Sequence, residues 1–200
     1  GGSKISTKIK IINNLIKKFN NIIIVGGMAN TMLKHTGINI GKSICEYECG
    51  PLIKEIVENS KKYNCEIIVP KDVIVSKNLD GSGKEKNINE IEENEMILDI
   101  GTKTISSIET IINNSKTVLW NGPAGYFENK NFSTGTSAIA KKISENTTKK
   151  SLISILGGGD TISAINKSND KFSFTHLSTA GGAFLEFLEG KDLPGLNVLK

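Results

Sequence analysis

The feature that most restricts the fold is a repeated order of short apolar run, glycine-bearing turn and amphipathic segment. The turns read VGGMA (25–29), WNGP (120–123), LGGGDT (156–161) and STAGGA (178–183). Apolar runs separated by helical segments are typical of parallel strands covered on both faces of a sheet. The sequence therefore predicts an α/β fold, a three-layer αβα sandwich with a mainly parallel sheet. Because such sheets bind ligands beyond the carboxyl ends of their strands, the four turns predict one ligand site.

Local periodicity predicts the individual elements. Apolar residues at helical spacing mark the helices, and short runs of Ile, Val and Leu mark the strands. The predicted helices cover 5–19, 28–37, 51–63, 102–115, 133–145, a segment from Asp160 onward and the end of 175–190. The predicted strands cover 21–27, 65–70, 96–101, 117–123 and 152–159. Residues 76–95 are polar and glycine-bearing, so we expect an excursion or a flexible hairpin there.

Lysine supplies all the positive charge of the chain. The 200 residues, a length typical of one domain, include 25 lysines and no arginine, and the formal net charge is +4. This charge is modest and spread along the chain, so it does not favour a nucleic-acid partner. Since flat, bidentate clamping of phosphate is arginine chemistry, an anion would have to be bound by lysines, backbone N–H groups and helix N-termini.

The cysteines and the chain start suggest where the protein works and what it is part of. Cys45, Cys49 and Cys65 lack regular spacing, which favours a reducing compartment. No apolar run has membrane-spanning length, so we expect a cytoplasmic protein without a membrane partner. The sequence begins with Gly1 and Gly2 instead of an initiator methionine, and we expect a fragment of a longer protein.

LGGGDT is the most informative of the four turns. Three glycines between a strand and a helix suggest that a ligand approaches bare backbone. Asp160 is either a helix cap or, beside phosphate-binding N–H groups, a ligand for Mg²⁺. Thr161 would then donate its hydroxyl to a phosphate oxygen. Other nucleotide motifs are not matched: TGINIGKS (36–43) lacks the first glycine of a phosphate loop, and no G-x-G-x-x-G follows a strand.

Two further features leave alternatives open. STAGGA starts another helix, whose glycines serve either helix packing or anion binding at the N-terminus. Lys4 and Lys8 lie four residues apart in the first predicted helix, so they share one face. That face is either solvated or directed at phosphate groups.

The order of the motifs resembles phosphoglycerate kinase over essentially the whole chain. The matching segments are GGSKISTKI, VGGMANTMLKHTG, IIVPKDV, LDIG, TVLWNGPAGYFE, ILGGGDT and HLSTAGGAFLEFLEGKDLPG. The resemblance is to the C-terminal, nucleotide-binding domain and implies a Rossmann-like fold across residues 1–200. It also implies reversible, glycolytic phosphoryl transfer from 1,3-bisphosphoglycerate to ADP, giving 3-phosphoglycerate and ATP, with Mg²⁺ bound to the nucleotide.

The resemblance implies a role for each matching residue. Those at the transferring phosphoryl group would be Lys4, Gly181 and Gly182. Those at the nucleotide phosphates would be Lys8, Asn121, Gly157, Gly158, Gly159 and Thr161, with Asp160 holding Mg²⁺. Those at the adenosine would be Gly26, Gly27, Gly101 and Pro123 around the adenine and Glu128 on the ribose hydroxyls.

The sequence also departs from the family pattern. Val25 and Ala180 stand where the family has glycine, and Tyr126 stands where a smaller aliphatic residue is usual. The family binds phosphoglycerate on an arginine-rich N-terminal domain, which this sequence lacks. We therefore expect a monomer that binds nucleotide without turnover. The alternatives are a non-catalytic adenine-nucleotide sensor on the same fold and a dinucleotide-binding dehydrogenase domain.

Overall fold

Strands and helices alternate along the chain in the computed structural model, which describes residues 1–168 and 170–198. The strands are β1 (Asn21–Ile23), β2 (Glu66–Ile68), β3 (Asp72–Ser76), β4 (Lys84–Asn87), β5 (Met96–Ile100), β6 (Thr117–Asn121), β7 (Ile153–Gly157) and β8 (His176–Ser178). The α-helices are α1 (Ile9–Ile16), α2 (Gly27–His35), α3 (Gly50–Lys62), α4 (Thr102–Asn113), α5 (Thr134–Thr148), α6 (Gly159–Lys167), α7 (Gly182–Leu188) and α8 (Pro194–Asn197). Short 3₁₀ turns cover Ser6–Lys8, Ile88–Glu90 and Lys130–Phe132. Within the described residues, no helix combines the length and the apolar character needed to cross a membrane.

Parallel pairing relates most of the strands. β1 pairs with β2, and β7 pairs with β6 on one side and β8 on the other, all in parallel. The chain between each of these partners contains at least one helix, as a parallel crossover requires. The predicted α/β architecture is confirmed: parallel strands flanked by helices form two sheets, β1–β2 and β6–β7–β8.

The segment from β3 to β5 departs from the parallel arrangement. β3 pairs antiparallel with both β4 and β5, so the strand expected at 96–101 does not join the parallel set. The expected excursion is a hairpin, because β3 and β4 flank residues 77–83. Strand β4 reads KEKN and has no apolar residue, so periodicity carried no signal for it. Its Lys86 is buried and donates to Glu92 at 2.7 Å and to Glu95 at 2.9 Å.

The first helix begins later than predicted. The 3₁₀ turn Ser6–Lys8 precedes α1, and Lys4 lies before both elements. The backbone N–H of Ser6 donates to the Glu46 carboxylate at 2.9 Å, and the Ser6 hydroxyl donates to the same group. These bonds hold the entry to the helix in a tighter turn, so Lys4 and Lys8 are not on successive turns of one regular α-helix.

The hydrophobic core forms two main clusters beside the parallel strands. One cluster packs α1, α2 and α3 against the segments around β1 and β2. The other packs α4 and α5 against β6 and β7, and it includes Ile143, Leu156 and Trp120. Full burial of an aliphatic side chain contributes about 1.5–3 kcal/mol to the free energy of folding. Packing in the two clusters therefore stabilises the arrangement of the parallel strands and their helices.

Candidate functional site

The carboxyl ends of β6, β7 and β8 lie side by side. In the parallel registers, Asn121 is opposite Gly157, and Gly157 is opposite Ser178. Helix α6 starts directly after β7, and α7 starts shortly after β8. The N-termini of both helices therefore lie at the same edge of the sheet, the edge at which α/β folds bind ligands.

The ammonium group of Lys8 is held at this edge. Lys8 Nζ donates to Asn121 Oδ1 at 2.9 Å, and Asn121 Nδ2 donates to the Gly157 carbonyl oxygen at 2.7 Å. Burial lowers the pKa of Lys8, and the charges of Asp160 and Glu189 oppose this shift. The structure therefore brings Lys8, Asn121 and Asp160 together at this edge of the sheet.

The three glycines of LGGGDT differ in whether the structure leaves room for a side chain at their positions. A Cβ at Gly157 would collide with the ring of Phe184. Gly158 has φ +99°, and a Cβ there would lie 2.6 Å from Asn121 Nδ2. A Cβ at Gly159 would have no atom within 4 Å. The packing of this chain thus requires the first two glycines, whereas Gly159 faces open space at the start of α6.

Thr161 lies beneath the start of α6. Its side chain is 0% exposed, and its hydroxyl accepts from the Gly122 N–H at 2.7 Å and donates to the Gly157 carbonyl oxygen at 2.9 Å. The Thr161 hydroxyl was expected to donate its proton to a phosphate oxygen. In the structure it already donates that proton to the Gly157 carbonyl oxygen. The exposed residues in the first turn of α6, where N–H groups lack intrahelical partners, are Gly159 and Asp160.

Asp160 is the exposed carboxylate at the start of α6. It lies in the first turn of the helix, where Lys8 is the nearby cation. In the part of the chain that the structure describes, no group of three or more His, Cys, Asp and Glu residues has the arrangement of a metal centre. One carboxylate suits Mg²⁺, which takes one or two carboxylates and completes its shell with water and substrate phosphates.

The glycines at the start of α7 also face open space. A Cβ at Gly181 or Gly182 would have no atom within 4 Å, and Gly181 has φ +51°. Helix α7 is held against α1, because Asn14 Nδ2 donates to the Leu188 carbonyl oxygen at 2.7 Å. Lys4, which was predicted for the same phosphoryl group, is exposed ahead of the first 3₁₀ turn.

Gly26, Gly27 and Pro123 come together at the start of α2. A Cβ at Gly26 would lie 3.2 Å from the Gly2 carbonyl oxygen and 3.6 Å from that of Pro123. A Cβ at Gly27 would lie 2.9 Å from both the Ser3 carbonyl oxygen and the Ile44 side chain. The chain's own backbone thus requires these glycines, so their presence alone does not indicate a ligand.

The other predicted adenosine contacts are Gly101 and Glu128, and Glu128 lies in the loop that follows β6, residues 122–129. Gly101 precedes α4, and a Cβ there would lie 2.5 Å from the Asp72 carboxylate. Glu128 is exposed in the loop. Val25, which replaces a family glycine, is buried in the same core cluster as Trp120. The structure thus explains Val25 as a core residue and leaves Glu128 accessible.

A cavity of about 710 Å³ lies beside the site, between β1 and β6. Lys8 and Asn121 line one part of it, and apolar side chains such as Ile12 and Leu188 line much of the rest. Gly26, Gly27, Gly101 and Pro123 are not among its lining residues. The cavity is therefore separate from the predicted adenine pocket.

Sequence analysis missed Asp99 on β5. Its side chain is 1% exposed and accepts the N–H of Gly135 at 2.8 Å. Burial raises the pKa of Asp99 to about 7, and the bonds from backbone N–H groups of Gly135, Ile100 and Thr134 oppose the shift. The signal in the sequence was an acid within the apolar run MILDI (96–100).

The fold and the site define an α/β protein with a candidate anion site at the carboxyl ends of its parallel strands. The family model described as phosphoglycerate kinase matches residues 1–191. The chain belongs to the phosphoglycerate kinase family.

Relatives with known sequences and structures agree with this membership. Phosphoglycerate kinases of Xanthobacter autotrophicus and Bradyrhizobium diazoefficiens are 42% and 44% identical across 100% of this chain, which covers 51% of each relative. The chain spans about half the length of the curated relatives it matches. The structure of phosphoglycerate kinase from Coxiella burnetii has a TM-score of 0.93 at 43% identity and that from Pyrococcus horikoshii OT3 has 0.80 at 29%. All of this chain aligns with them, over 51% and 50% of those chains respectively.

Proposed function

We propose that this chain binds ADP or ATP with Mg²⁺ and corresponds, over residues 1–200, to the C-terminal domain of phosphoglycerate kinase. The observation that carries the proposal is the open start of α6. There Gly159 leaves space beside free backbone N–H groups, next to Lys8 and the exposed Asp160. Such a helix start attracts phosphate through its N–H groups and its dipole.

The phosphate end of the nucleotide is assigned to the strand ends of β6 and β7. Lys8 and the first-turn N–H groups of α6 would bind phosphate oxygens, with Asn121 orienting the lysine. Asp160 would hold Mg²⁺, which neutralises phosphate charge when bound. The contacts at the transferring phosphoryl group are assigned to Lys4, Gly181 and Gly182.

The adenosine end is assigned to the α2 start and the loop that follows β6. Gly26, Gly27, Gly101 and Pro123 would surround the adenine, and Glu128 would accept from the ribose hydroxyls. Support comes from the proximity of Gly26 to Pro123 and from the exposure of Glu128. Tyr126, a departure from the family pattern, lies half-buried in the same loop and would influence base packing.

The reaction we propose is phosphoryl transfer between 1,3-bisphosphoglycerate and ADP. Such transfer depends on positioning and charge stabilisation, so the site needs no protein nucleophile. The chain has no arginine and spans about half of its relatives, so we assign the phosphoglycerate site to a region outside it. The chain alone is then a monomer that binds nucleotide without turnover. Its free cysteines, Cys45, Cys49 and Cys65, support a reducing compartment such as the cytoplasm.

Calorimetric titration with ADP plus Mg²⁺ and, separately, with NAD tests the proposal against a dinucleotide-binding domain. We expect binding of ADP and none of NAD, and the reverse preference would refute the proposal. A coupled assay of ATP formation, with the chain alone and mixed with the N-terminal half of a relative, then separates kinase from sensor. Activity only in the mixture supports the kinase assignment, whereas inactivity of a complex that binds both ligands favours the sensor.

A further inference from the structure

Asp99 is a buried acid that the proposed phosphoryl transfer does not use. It lies between two core residues of β5, Leu98 and Ile100, and its side chain is 1% exposed. Its pKa shift is set by burial and by backbone N–H groups, and no charged side chain of the described residues is among the causes. A carboxyl group buried without a cation is costly unless its oxygens are hydrogen-bonded, so its partners indicate its role.

The partners of Asp99 belong to the start of α5. Oδ2 accepts the Gly135 N–H at 2.8 Å, and the Thr134 N–H also contributes. Oδ1 accepts the N–H of the next residue, Ile100, at 2.9 Å. Ser133, the N-cap residue of α5, makes no capping bond through its side chain. Asp99 therefore ties the N-terminus of α5 to β5 from a different element.

The loop that follows β6 packs on this junction through three consecutive residues. The Ala124 N–H donates to Thr136 Oγ1 on α5 at 2.9 Å, and the Tyr126 N–H donates to the Leu98 carbonyl oxygen on β5 at 2.7 Å. Gly125 lies directly over Asp99, because a Cβ at Gly125 would collide with Asp99 Oδ1. The loop is thus bonded to both elements that Asp99 joins.

We propose that Asp99 is a positioning residue that, by joining α5 to β5, sets the position of the nucleotide-contacting loop from Pro123 to Glu128. The inference rests on the proposed function, since it concerns how that site is held. Pro123 directly precedes these three packed residues, and Glu128 follows them after Phe127. A displacement of the junction therefore moves both adenosine contacts of the loop, whereas the phosphate contacts on α6 should move less, because the Gly122 N–H is held separately by the Thr161 hydroxyl.

The test compares Asp99→Asn with Glu95→Gln in the full chain. Asparagine keeps the size of the side chain but offers one acceptor oxygen where the structure uses two. Glu95 is a buried acid near the start of β5 and pairs with Lys86 away from the site, so Glu95→Gln is the matched control. Thr136→Val, which removes only the bond to Ala124, is a milder second variant in case Asp99→Asn folds poorly.

Two readouts separate positioning from stability. The chain's single tryptophan, Trp120, donates from Nε1 to the Gly122 carbonyl oxygen at 2.8 Å, so its fluorescence reports on the start of the loop without ligand. We expect Asp99→Asn and Thr136→Val to change the emission and Glu95→Gln to leave it unchanged. We also expect Asp99→Asn to weaken ADP binding about tenfold, equivalent to one charge-assisted hydrogen bond, while the gain in affinity on adding Mg²⁺ remains.

The outcomes distinguish this inference from the proposed function. If the unaltered chain does not bind ADP, the proposed function fails and the inference falls with it. If the unaltered chain binds ADP but Asp99→Asn and Thr136→Val match Glu95→Gln in emission and affinity, only the inference is overturned. The inference would also be overturned if Mg²⁺ no longer increased the ADP affinity of Asp99→Asn, because the disturbance would then extend to the phosphate end of the site.

Discussion

Replacing Gly159 with alanine should change the stability of the protein and its affinity for nucleotide in opposite directions. Gly159 is the first residue of α6, its φ is outside the left-handed region, and a Cβ would meet no atom within 4 Å. Alanine favours a helix over glycine by up to about 1 kcal/mol, with a smaller gain expected at the end of a helix. For a chain of this size, we expect the melting temperature to rise by about 1–2 °C.

The same methyl group should weaken nucleotide binding. It would occupy the space through which a phosphate group approaches the first-turn N–H groups of α6. A hydrogen bond to a charged group contributes about 1.5–3 kcal/mol, so losing one such bond should weaken ADP binding at least about tenfold. Stability should therefore rise slightly while affinity falls.

The assay is calorimetric titration with ADP and Mg²⁺, combined with thermal unfolding of the ligand-free protein. Gly195→Ala is the matched control, because Gly195 also lies in a helix and a Cβ there would meet no atom within 4 Å. The control should keep the affinity of the unaltered chain. Equal affinity of Gly159→Ala and the control would refute the assignment of Gly159 to the phosphate site. If Gly159→Ala lowered both the melting temperature and the affinity, the conclusion that a Cβ fits at this position without a collision would be refuted.

Two other substitutions test the buried polar groups. Thr161→Val leaves the Gly122 N–H without its partner and removes one of the two hydrogen bonds to the Gly157 carbonyl oxygen, so it should lower the free energy of unfolding by about 2 kcal/mol in urea titrations. Unchanged stability would contradict the structural role of that hydroxyl. The folded-state pKa of Asp99, about 7, lies above its ordinary 3.8, so the folded protein binds this proton more tightly. The resulting stabilisation is complete below about pH 4 and is lost as the pH rises to about 7, a change of about 4 kcal/mol. Asp99→Asn should abolish this part of the pH dependence of the free energy of unfolding, and an unchanged pH profile would count against the raised pKa.

The parallel strands β1, β6 and β7 could be predicted because they are apolar and a glycine-bearing turn follows each, whereas β8, which reads HLS, was not predicted. Strands β6 and β7 follow this rule, and both were predicted. Strand β4 could not be predicted in the same way, because its buried Lys86 depends on Glu92 and Glu95, which approach only after folding. The start of α1 was wrong for a similar reason, since Glu46 binds Ser6 from forty residues away.

The sequence predicted where the candidate site lies but not the role of each residue in it. Glycine-bearing turns marked the strand ends, and the structure brings Lys8, Asn121 and Asp160 together there. Sequence alone could not show which glycines serve internal packing, because that depends on distant neighbours such as Phe184. It also could not show that the Thr161 hydroxyl is used within the chain.

The measurement that tests the central claim most directly is calorimetric titration with ADP, with and without Mg²⁺, on the unaltered chain and Asp160→Ala. Asp80→Ala, which changes an exposed acid in the β3–β4 connection, is the matched control. A metal–phosphate site at the start of α6 predicts that Mg²⁺ strengthens binding in the unaltered chain and the control, and that Asp160→Ala loses this gain. No ADP binding, or an undiminished Mg²⁺ gain in Asp160→Ala, would contradict the account.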